Sequence, residues 1–337
     1  MSKLWHSFLQ GLTEEFVRPY ELRINMTQFS RHITILFVAA LSATIECRAA
    51  QIENKNAKPL VLGVIFQGAS QPVENHFRPL VEYVVHNLSP AGETKGVIIV
   101  APSTGQMIKL LEEKRVDFYI ESPYPTYLIN RLGAAKLLLR AWKGGMAEYR
   151  SLIVTSKQSG VTEPKELRGK VIAFEDPGST SGYFLPKLFL LKKGFSVSEQ
   201  PSLKSKVSAR EIGYIFANTS DDVVNLVLQQ KVSAGAFSTD DYAGLEDRNK
   251  PLISILSETE SVPRHLVSVR KDLSDPVITR LKTILLNMNQ DKEGQQILKQ
   301  TDNTTKFDSL PGGEEMVRRK LVELYRPRPQ NPSAKTP

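Results

Sequence analysis

The chain has 337 residues, of which 41% are hydrophobic and 24% charged, a composition typical of folded globular domains rather than fibrous or disordered proteins. Its formal net charge is +8, but the basic residues are scattered among acidic ones and form no block interleaved with aromatics. Nucleic acid is therefore not an expected partner. The length predicts two domains or one large one.

An uncharged apolar run at residues 33–45 is too short to span a bilayer but has the length of a signal-peptide core. Small residues follow it, and residues 26–49 are predicted to be a signal peptide cleaved after Ala49 or Ala50. Export would place the mature protein in the periplasm. Because the mature chain would have no cysteine, it could form no disulfide, and its stability must come from its hydrophobic core.

The apolar run begins unusually far from Met1, and Met26 would make a normal start. Residues 1–25 are therefore predicted to be either an over-assigned start or an N-terminal extension. The single cysteine, Cys47, follows Glu46, where a lipoprotein signal requires a small residue, so a lipid anchor is not expected.

Apolar runs and helical spacing predict the order strand–helix–strand–helix–strand in the first part of the mature chain. The predicted strands are residues 60–66, 97–101 and 116–120, with helices at 73–88 and from 103 onward. The same order recurs with strands at 171–174, 211–216 and 234–237 and helices at 181–193 and 220–230. This alternation predicts an α/β protein made of two similar Rossmann-like lobes, each with a parallel sheet.

Two extended segments, residues 149–156 and 265–270, are predicted to join the lobes as a two-segment hinge. Amphipathic helices at about 275–299 and 314–325 would return the chain to the first lobe. Lobe one is therefore predicted to comprise residues 58–149 and 262–325, and lobe two residues 150–261. The proline-rich tail, residues 326–337, is predicted to be disordered.

The most informative stretch is residues 170–194, which reads as a strand, a tight loop and a helix. Ser179, Thr180 and Ser181 stand where that helix should begin. The first backbone N–H groups of a helix have no intrahelical partner, and the helix dipole places partial positive charge there. Hydroxyl and amide donors together would suit a tetrahedral oxyanion. The alternative is that one hydroxyl caps the helix and the others face water.

The run from Asp176 to Gly182, DPGSTSG, followed by Pro186, resembles the signature of the phosphonate/phosphite/phosphate substrate-binding proteins of ABC transporters. The resemblance extends over about residues 59–325. It implies a type 2 periplasmic binding protein fold, in which the run from Ser179 to Ser181 holds the ligand's oxygens. It also implies a membrane permease as partner and a monomeric protein without cofactor.

Ligands of such folds bind outside the carboxyl ends of the parallel strands, which points to several further loops. Glu121 stands where the family often has a ligand-contacting tyrosine, and Asn218 stands where it commonly has a histidine. The other candidate ligand-binding residues in these loops are Gln67, Ser122, Tyr124 and Asp240.

Each of these candidates has a structural alternative. Tyr124 either contacts the ligand or packs as a half-buried aromatic residue. Asn218 either donates to the ligand or, with Thr219, caps the next helix. Asp240 and Asp241 either join Glu121 around an ammonium group of the ligand or form a turn and a helix cap.

Enzyme chemistry is not indicated, because the five histidines have no metal-ligand spacing and neither a nucleophile elbow nor a Walker loop is present. We therefore expect no catalytic or metal-binding residues. The sequence predicts an exported solute-binding protein that closes on a small oxyanion. A periplasmic sensor with a changed ligand and an enzyme built on the same scaffold are the alternatives.

Overall fold

The computed structural model describes residues 58–325. The predicted N-terminal extension (1–25), signal peptide (26–49) and tail (326–337) lie outside the described residues. The strands of the described part are β1 (Leu60–Ile65), β2 (Gly96–Ala101), β3 (Phe118–Glu121), β4 (Ala135–Lys143), β5 (Glu148–Tyr149), β6 (Ser151–Ser156), β7 (Val171–Phe174), β8 (Ser196–Glu199), β9 (Glu211–Phe216), β10 (Ala234–Ser238), β11 (Ile253–Glu258), β12 (Val262–Pro263), β13 (Leu266–Arg270) and β14 (Thr304–Ser309).

The α-helices of the same part are α1 (Ser70–Leu88), α2 (Thr104–Glu112), α3 (Pro123–Arg131), α4 (Leu185–Lys192), α5 (Ser220–Leu228), α6 (Thr239–Gly244), α7 (Asp275–Asn287), α8 (Lys292–Gln300) and α9 (Glu314–Tyr325). Across residues 58–325, none of the helices is long and apolar enough to cross a membrane.

Two six-stranded sheets form the centres of two lobes. The strand order is β14-β4-β13-β3-β1-β2 in lobe one and β11-β6-β10-β7-β9-β8 in lobe two. Helices cover the sheets with apolar faces, as where Leu80 and Val84 of α1 are fully buried against lobe one and Val223 and Val227 of α5 against lobe two. This confirms the predicted two-lobed α/β class. The exact residue boundaries of the lobes stay a prediction.

The segments that pass between the sheets pair with each other. Strand β5 is antiparallel to β12, with Tyr149 opposite Val262, and the N–H of Arg264 donates to the carbonyl of Ala147 at 2.8 Å. A short two-stranded ribbon therefore joins the lobes where the sequence predicts a hinge. Because both crossings are hydrogen-bonded together, a rotation of one lobe must bend them as a unit.

The predicted parallel pairing is present in both sheets, but both sheets also contain antiparallel strands. In lobe one β1 runs parallel to β2 and β3, whereas β13 is antiparallel to both β3 and β4, and β14 is antiparallel to β4. In lobe two β6 is antiparallel to β10 and β11. Two of the reversed strands, β6 and β13, directly follow the hinge ribbon in the chain, and the third, β14, follows α8. Strands β4, β8, β11, β12 and β14 were not predicted.

The single helix predicted at about 275–299 is interrupted. Helix α7 ends at Asn287, and Asp291 caps α8 by accepting the N–H of Gly294 at 2.8 Å. Gly294 lies so close to the carbonyl of Met288 that a Cβ there would sit 1.9 Å from that oxygen. The amphipathic spacing continues through the break, which is why the periodicity alone predicted one helix.

Candidate functional site

The carboxyl ends of β1, β3, β7 and β10 surround a space of about 360 Å³ between the lobes, here termed the cleft cavity. Its lining comes from both lobes and from the hinge ribbon. The lining residues are Ile65, Thr104, Glu121, Ser122, Pro125, Lys143, Tyr149, Glu175, Asp176, Gly178, Ser179, Thr180, Ser181, Ser238, Asp240, Asp241, Arg264 and His265.

The segment after β7 brings all three predicted hydroxyl residues to this cavity. Residues Thr180–Phe184 form a π-helical turn that continues into α4, and Pro186 stands in the first turn of α4, where its missing N–H is tolerated. Gly182 is required at the start because a Cβ there would lie 2.0 Å from Oε2 of Glu175. The π-helical turn therefore packs directly against Glu175, the residue that follows β7.

The three hydroxyls have different partners. The Ser179 hydroxyl accepts the Gly182 N–H at 2.8 Å and donates to Glu175 at 2.5 Å, so this serine caps the helix. The Thr180 hydroxyl accepts the Tyr124 N–H at 2.9 Å and donates to Ser122 at 3.0 Å, which links the lobes. Among the described residues the structure gives the Ser181 hydroxyl no hydrogen bond, which leaves it available to a ligand.

A buried arginine that the sequence analysis did not select lies across the cavity. Arg264 is only 6% exposed, its guanidinium stacks 4.3 Å from the ring centre of Tyr149, and it forms an ion pair with Asp240. Within residues 58–325, its Nε and Asp240 Oδ1 are buried and have no hydrogen-bond partner. Burial lowers the pKa of Arg264, yet a guanidinium stays charged at neutral pH. One indication of Arg264 was present in the sequence, which is that it directly precedes the extended segment 265–270 that is predicted to form part of the hinge.

Lys143 at the end of β4 is a second cation beside the cavity, also missed from the sequence because β4 itself was missed. Its ammonium group lies 3.1 Å from Asp302. The neighbouring His265 has its pKa lowered well below the usual range, first by burial and then by the charge of Lys143. His265 is therefore neutral at physiological pH and brings no charge to the cavity.

Carboxylates outnumber cations around the cleft cavity, but two of them are poised to be protonated. Burial raises the pKa of Glu121 to about 7 and that of Glu175 to about 7. Asp240 is neutralised by Arg264, and Asp241 is engaged in the cap of α6 through the hydroxyl and N–H of Ser238. The cavity therefore carries much less negative charge near neutrality than a count of its acids suggests.

The remaining predicted residues lie beside the cleft cavity rather than in it. Gln67, Tyr124 and Asn218 line an adjoining outer cavity of about 550 Å³, which shares Asp176 and Gly178 with the first. The Tyr124 ring stacks on Phe184 at 4.1 Å, the packing alternative weighed for it. Thr219 caps α5, and the backbone N–H of Asn218 donates to the Glu175 carbonyl at 2.8 Å.

Six predicted residues do meet around the cleft cavity: Glu121, Ser122, Ser179, Thr180, Ser181 and Asp240. Whether they bind a ligand stays a prediction. Within residues 58–325 no group of three or more His, Cys, Asp or Glu side chains is placed to hold a metal ion.

Comparison with known proteins matches residues 62–310 to the family model described as ABC transporter, phosphonate, periplasmic substrate-binding protein. The solved structure of XAC2383 from Xanthomonas citri bound to ATP is 30% identical, covering 80% of this chain and 96% of that one with a TM-score of 0.71. The chloride-bound structure of XAC2383 is 29% identical, with coverages of 79% and 95% and a TM-score of 0.73.

A third similar structure is PhnD1 from Prochlorococcus marinus in complex with methylphosphonate. It is 18% identical and covers 80% of this chain and 97% of that one, with a TM-score of 0.61. At that identity the likeness shows a shared fold alone.

Proposed function

Because this chain belongs to the family of periplasmic substrate-binding proteins of phosphonate ABC transporters, we propose that it binds a small phosphonate-, phosphite- or phosphate-type oxyanion in the cleft cavity. It would be exported, bind its ligand as a monomer and pass it to a membrane permease. The observation that carries this proposal is the meeting, in one interlobe cavity, of the Ser181 hydroxyl with the buried guanidinium of Arg264.

The donors are arranged as an oxyanion requires. Ser181 offers a hydroxyl from lobe two, Arg264 offers the Nη1 end of its guanidinium, which is not paired with Asp240, and Lys143 offers an ammonium group from lobe one. Hydrogen bonds from a guanidinium or ammonium group to a phosphonyl oxygen are charge-assisted and therefore strong. Because the donors come from different parts of the molecule, the ligand would hold the lobes together, which is the property a permease must recognise.

The carboxylates set a condition on this binding. An ionised Glu121 or Glu175 would repel an anion, whereas a protonated one can donate a hydrogen bond to it. Their pKa values of about 7 mean that the proton is already bound by about half of the molecules at neutral pH. Anion binding in this cavity is therefore expected to take up protons and to weaken as the pH rises.

Isothermal titration calorimetry of residues 58–325 with phosphate, phosphite, methylphosphonate, sulfate and chloride tests the proposal. Stoichiometric binding is expected for at least one phosphorus oxyanion. Arg264→Gln should weaken that binding about 10- to 100-fold, because a charge-assisted hydrogen bond is lost. Arg248→Gln is the matched control, since the side chain of Arg248 is 81% exposed on the surface.

The proposal would be wrong if no phosphorus oxyanion in the panel gave a saturable heat signal. It would also be wrong if Arg248→Gln and Arg264→Gln weakened binding equally, because the loss would then follow net charge rather than the cavity. Thermal unfolding of both variants checks that each is folded.

A further inference from the structure

A second space, here termed the side cavity, lies in lobe one beside the cleft cavity. It has a volume of about 470 Å³ and lies where β1 and β3 end and α1 begins. Ile65, Glu121 and His265 line both spaces, so the two adjoin. A phosphonyl head held near Ser181 and Arg264 would leave the side cavity unfilled.

The wall of the side cavity is largely apolar. Val64, Phe66, Val73, Phe77 and Ile120 face it from two strands and one helix. The polar residues on its far wall already have partners, because His76 Nε2 lies 2.9 Å from Asp302 and Asp302 also accepts from Lys143 at 3.1 Å. This wall therefore offers contact area to an apolar group, while His265, on the side shared with the cleft cavity, has a buried Nδ1 without a hydrogen-bond partner among the described residues.

Phe66 borders both the side cavity and the outer cavity and offers an exposed aromatic surface to an apolar group. It is 44% exposed, which is unusual for an aromatic side chain at the end of a buried strand. Its ring lies over Gly68, whose φ is +148° and where an added Cβ would come within 2.8 Å of the ring. The glycine thus lets the ring lie at the rim, where an apolar ligand group would cover it.

We propose that the ligand is an organic phosphonate or phosphate monoester with an apolar substituent, whose head occupies the cleft cavity and whose substituent occupies the side cavity. This inference rests on the proposed function, since it needs an oxyanion in the cleft cavity. It goes further because it excludes inorganic phosphate and phosphite as the best ligands. The affinity gained by the substituent comes from apolar surface removed from water.

Calorimetry with methyl-, propyl- and pentylphosphonate tests the inference, because the head stays constant while the substituent grows. Affinity should rise about fourfold for each methylene that becomes buried, so pentylphosphonate should bind at least about tenfold more tightly than methylphosphonate. Val73→Trp fills the side cavity and should remove this gain, while methylphosphonate binding persists and shows that the variant is folded.

Gly105→Trp is the matched control because it adds the same indole to the outer cavity. Among the described residues, a Cβ at Gly105 meets no atom closer than the Ser103 hydroxyl at 3.9 Å, so the backbone there accepts a side chain, which the outer cavity of about 550 Å³ can receive. It should leave the rise with chain length intact. Loss of the rise in Gly105→Trp but not in Val73→Trp would overturn the assignment to the side cavity.

The other outcomes separate the two proposals. If phosphate and methylphosphonate bind but longer substituents bring no gain, the side cavity is not a substituent site and the oxyanion function stands. If neither phosphate nor any member of the alkyl series binds, the oxyanion function fails and this inference fails with it.

Discussion

The helix that follows β2 and the helical segment that follows β7 both begin at a capping serine. Ser103 accepts the N–H of Gln106 at 3.2 Å, and Ser179 accepts the N–H of Gly182 at 2.8 Å. In each case the serine follows the carboxyl end of a parallel strand. The two strand-to-helix connections, here termed corners, therefore use the same serine cap, and the known preference for serine at helix N-caps predicts both of them.

What surrounds the two corners differs. In the part of the chain that the structure describes, an added Cβ at Gly105, near the first cap, has only the Ser103 hydroxyl within 4 Å, whereas one at Gly182 would collide with Glu175. Thr180 and Ser181 are 2% and 7% exposed, and the turn that contains them is π-helical. The difference teaches that a hydroxyl cap becomes a candidate anion site when a second lobe closes over it and burial raises the pKa of the neighbouring carboxyl group, here Glu175, to about 7.

The largest expected effect is on stability, through Gly182→Ala. The new Cβ would lie 2.6 Å from the Cβ of Glu175, which cannot move without moving its strand. Overpacking of this kind costs about 1–3 kcal/mol or more. Urea unfolding of Gly105→Ala is the comparison, and that variant should be more stable by about 0.5–1 kcal/mol. Equal changes in the two midpoints would contradict the proposed difference in packing.

A second test separates binding from capping. Ser181→Ala should weaken methylphosphonate binding about 10- to 100-fold in calorimetry, because a hydrogen bond to a charged acceptor is lost. Ser103→Ala should instead lower the free energy of unfolding by about 1 kcal/mol with little change in affinity. If Ser103→Ala weakened binding as much as Ser181→Ala, the two corners would be functionally alike.

A third test concerns the pH dependence of stability that Glu175 brings to the second of these helix starts. Its pKa is raised from 4.5 to about 7, so the folded protein holds this proton more tightly than the unfolded chain. The stability it contributes is present below about pH 4.5 and is lost as the pH rises to about 7. Glu175→Gln should remove roughly 1–3 kcal/mol of the decline in unfolding free energy between about pH 5 and pH 8.

Denaturant unfolding at both pH values measures this decline. Parallel pH profiles for Glu175→Gln and the unsubstituted protein would show that the carboxyl group titrates alike in the folded and unfolded states. The variant should also bind methylphosphonate with a weaker pH dependence, because one of the protons taken up on binding is no longer available.

Sequence patterns predicted much of the fold because they report short-range constraints. Branched apolar runs gave β1, β7 and β9 nearly to the residue, and helical spacing gave α1 and α5. Strand β4 was missed although it lies inside a sheet, between β14 and β13, because its charged residues interrupt the apolar pattern. Asp291 and Gly294 divided a helix whose apolar spacing runs straight through them.

The residues of the candidate site also divide into those that a local sequence pattern revealed and those that it did not. Ser179, Thr180 and Ser181 were recognisable because a strand, a turn and a hydroxyl-rich helix start are adjacent in the chain. Arg264 was not, because its partner Asp240 is 24 residues earlier and its stacking partner Tyr149 is on the other crossing segment. No local pattern marks an arginine as buried.

The sequence by itself determined the order of strands and helices, the family and the segment whose hydroxyls reach the cleft cavity. Tertiary structure alone decided which hydroxyl caps, which links the lobes and which remains available, since Thr180 meets Tyr124 and Ser122 across the cleft. It also decided the charge balance, because burial raises the pKa of Glu121 and Glu175 and the hinge places Arg264 beside Asp240. Burial and pairing are properties of the folded surroundings, and residues far apart in the chain supply those surroundings.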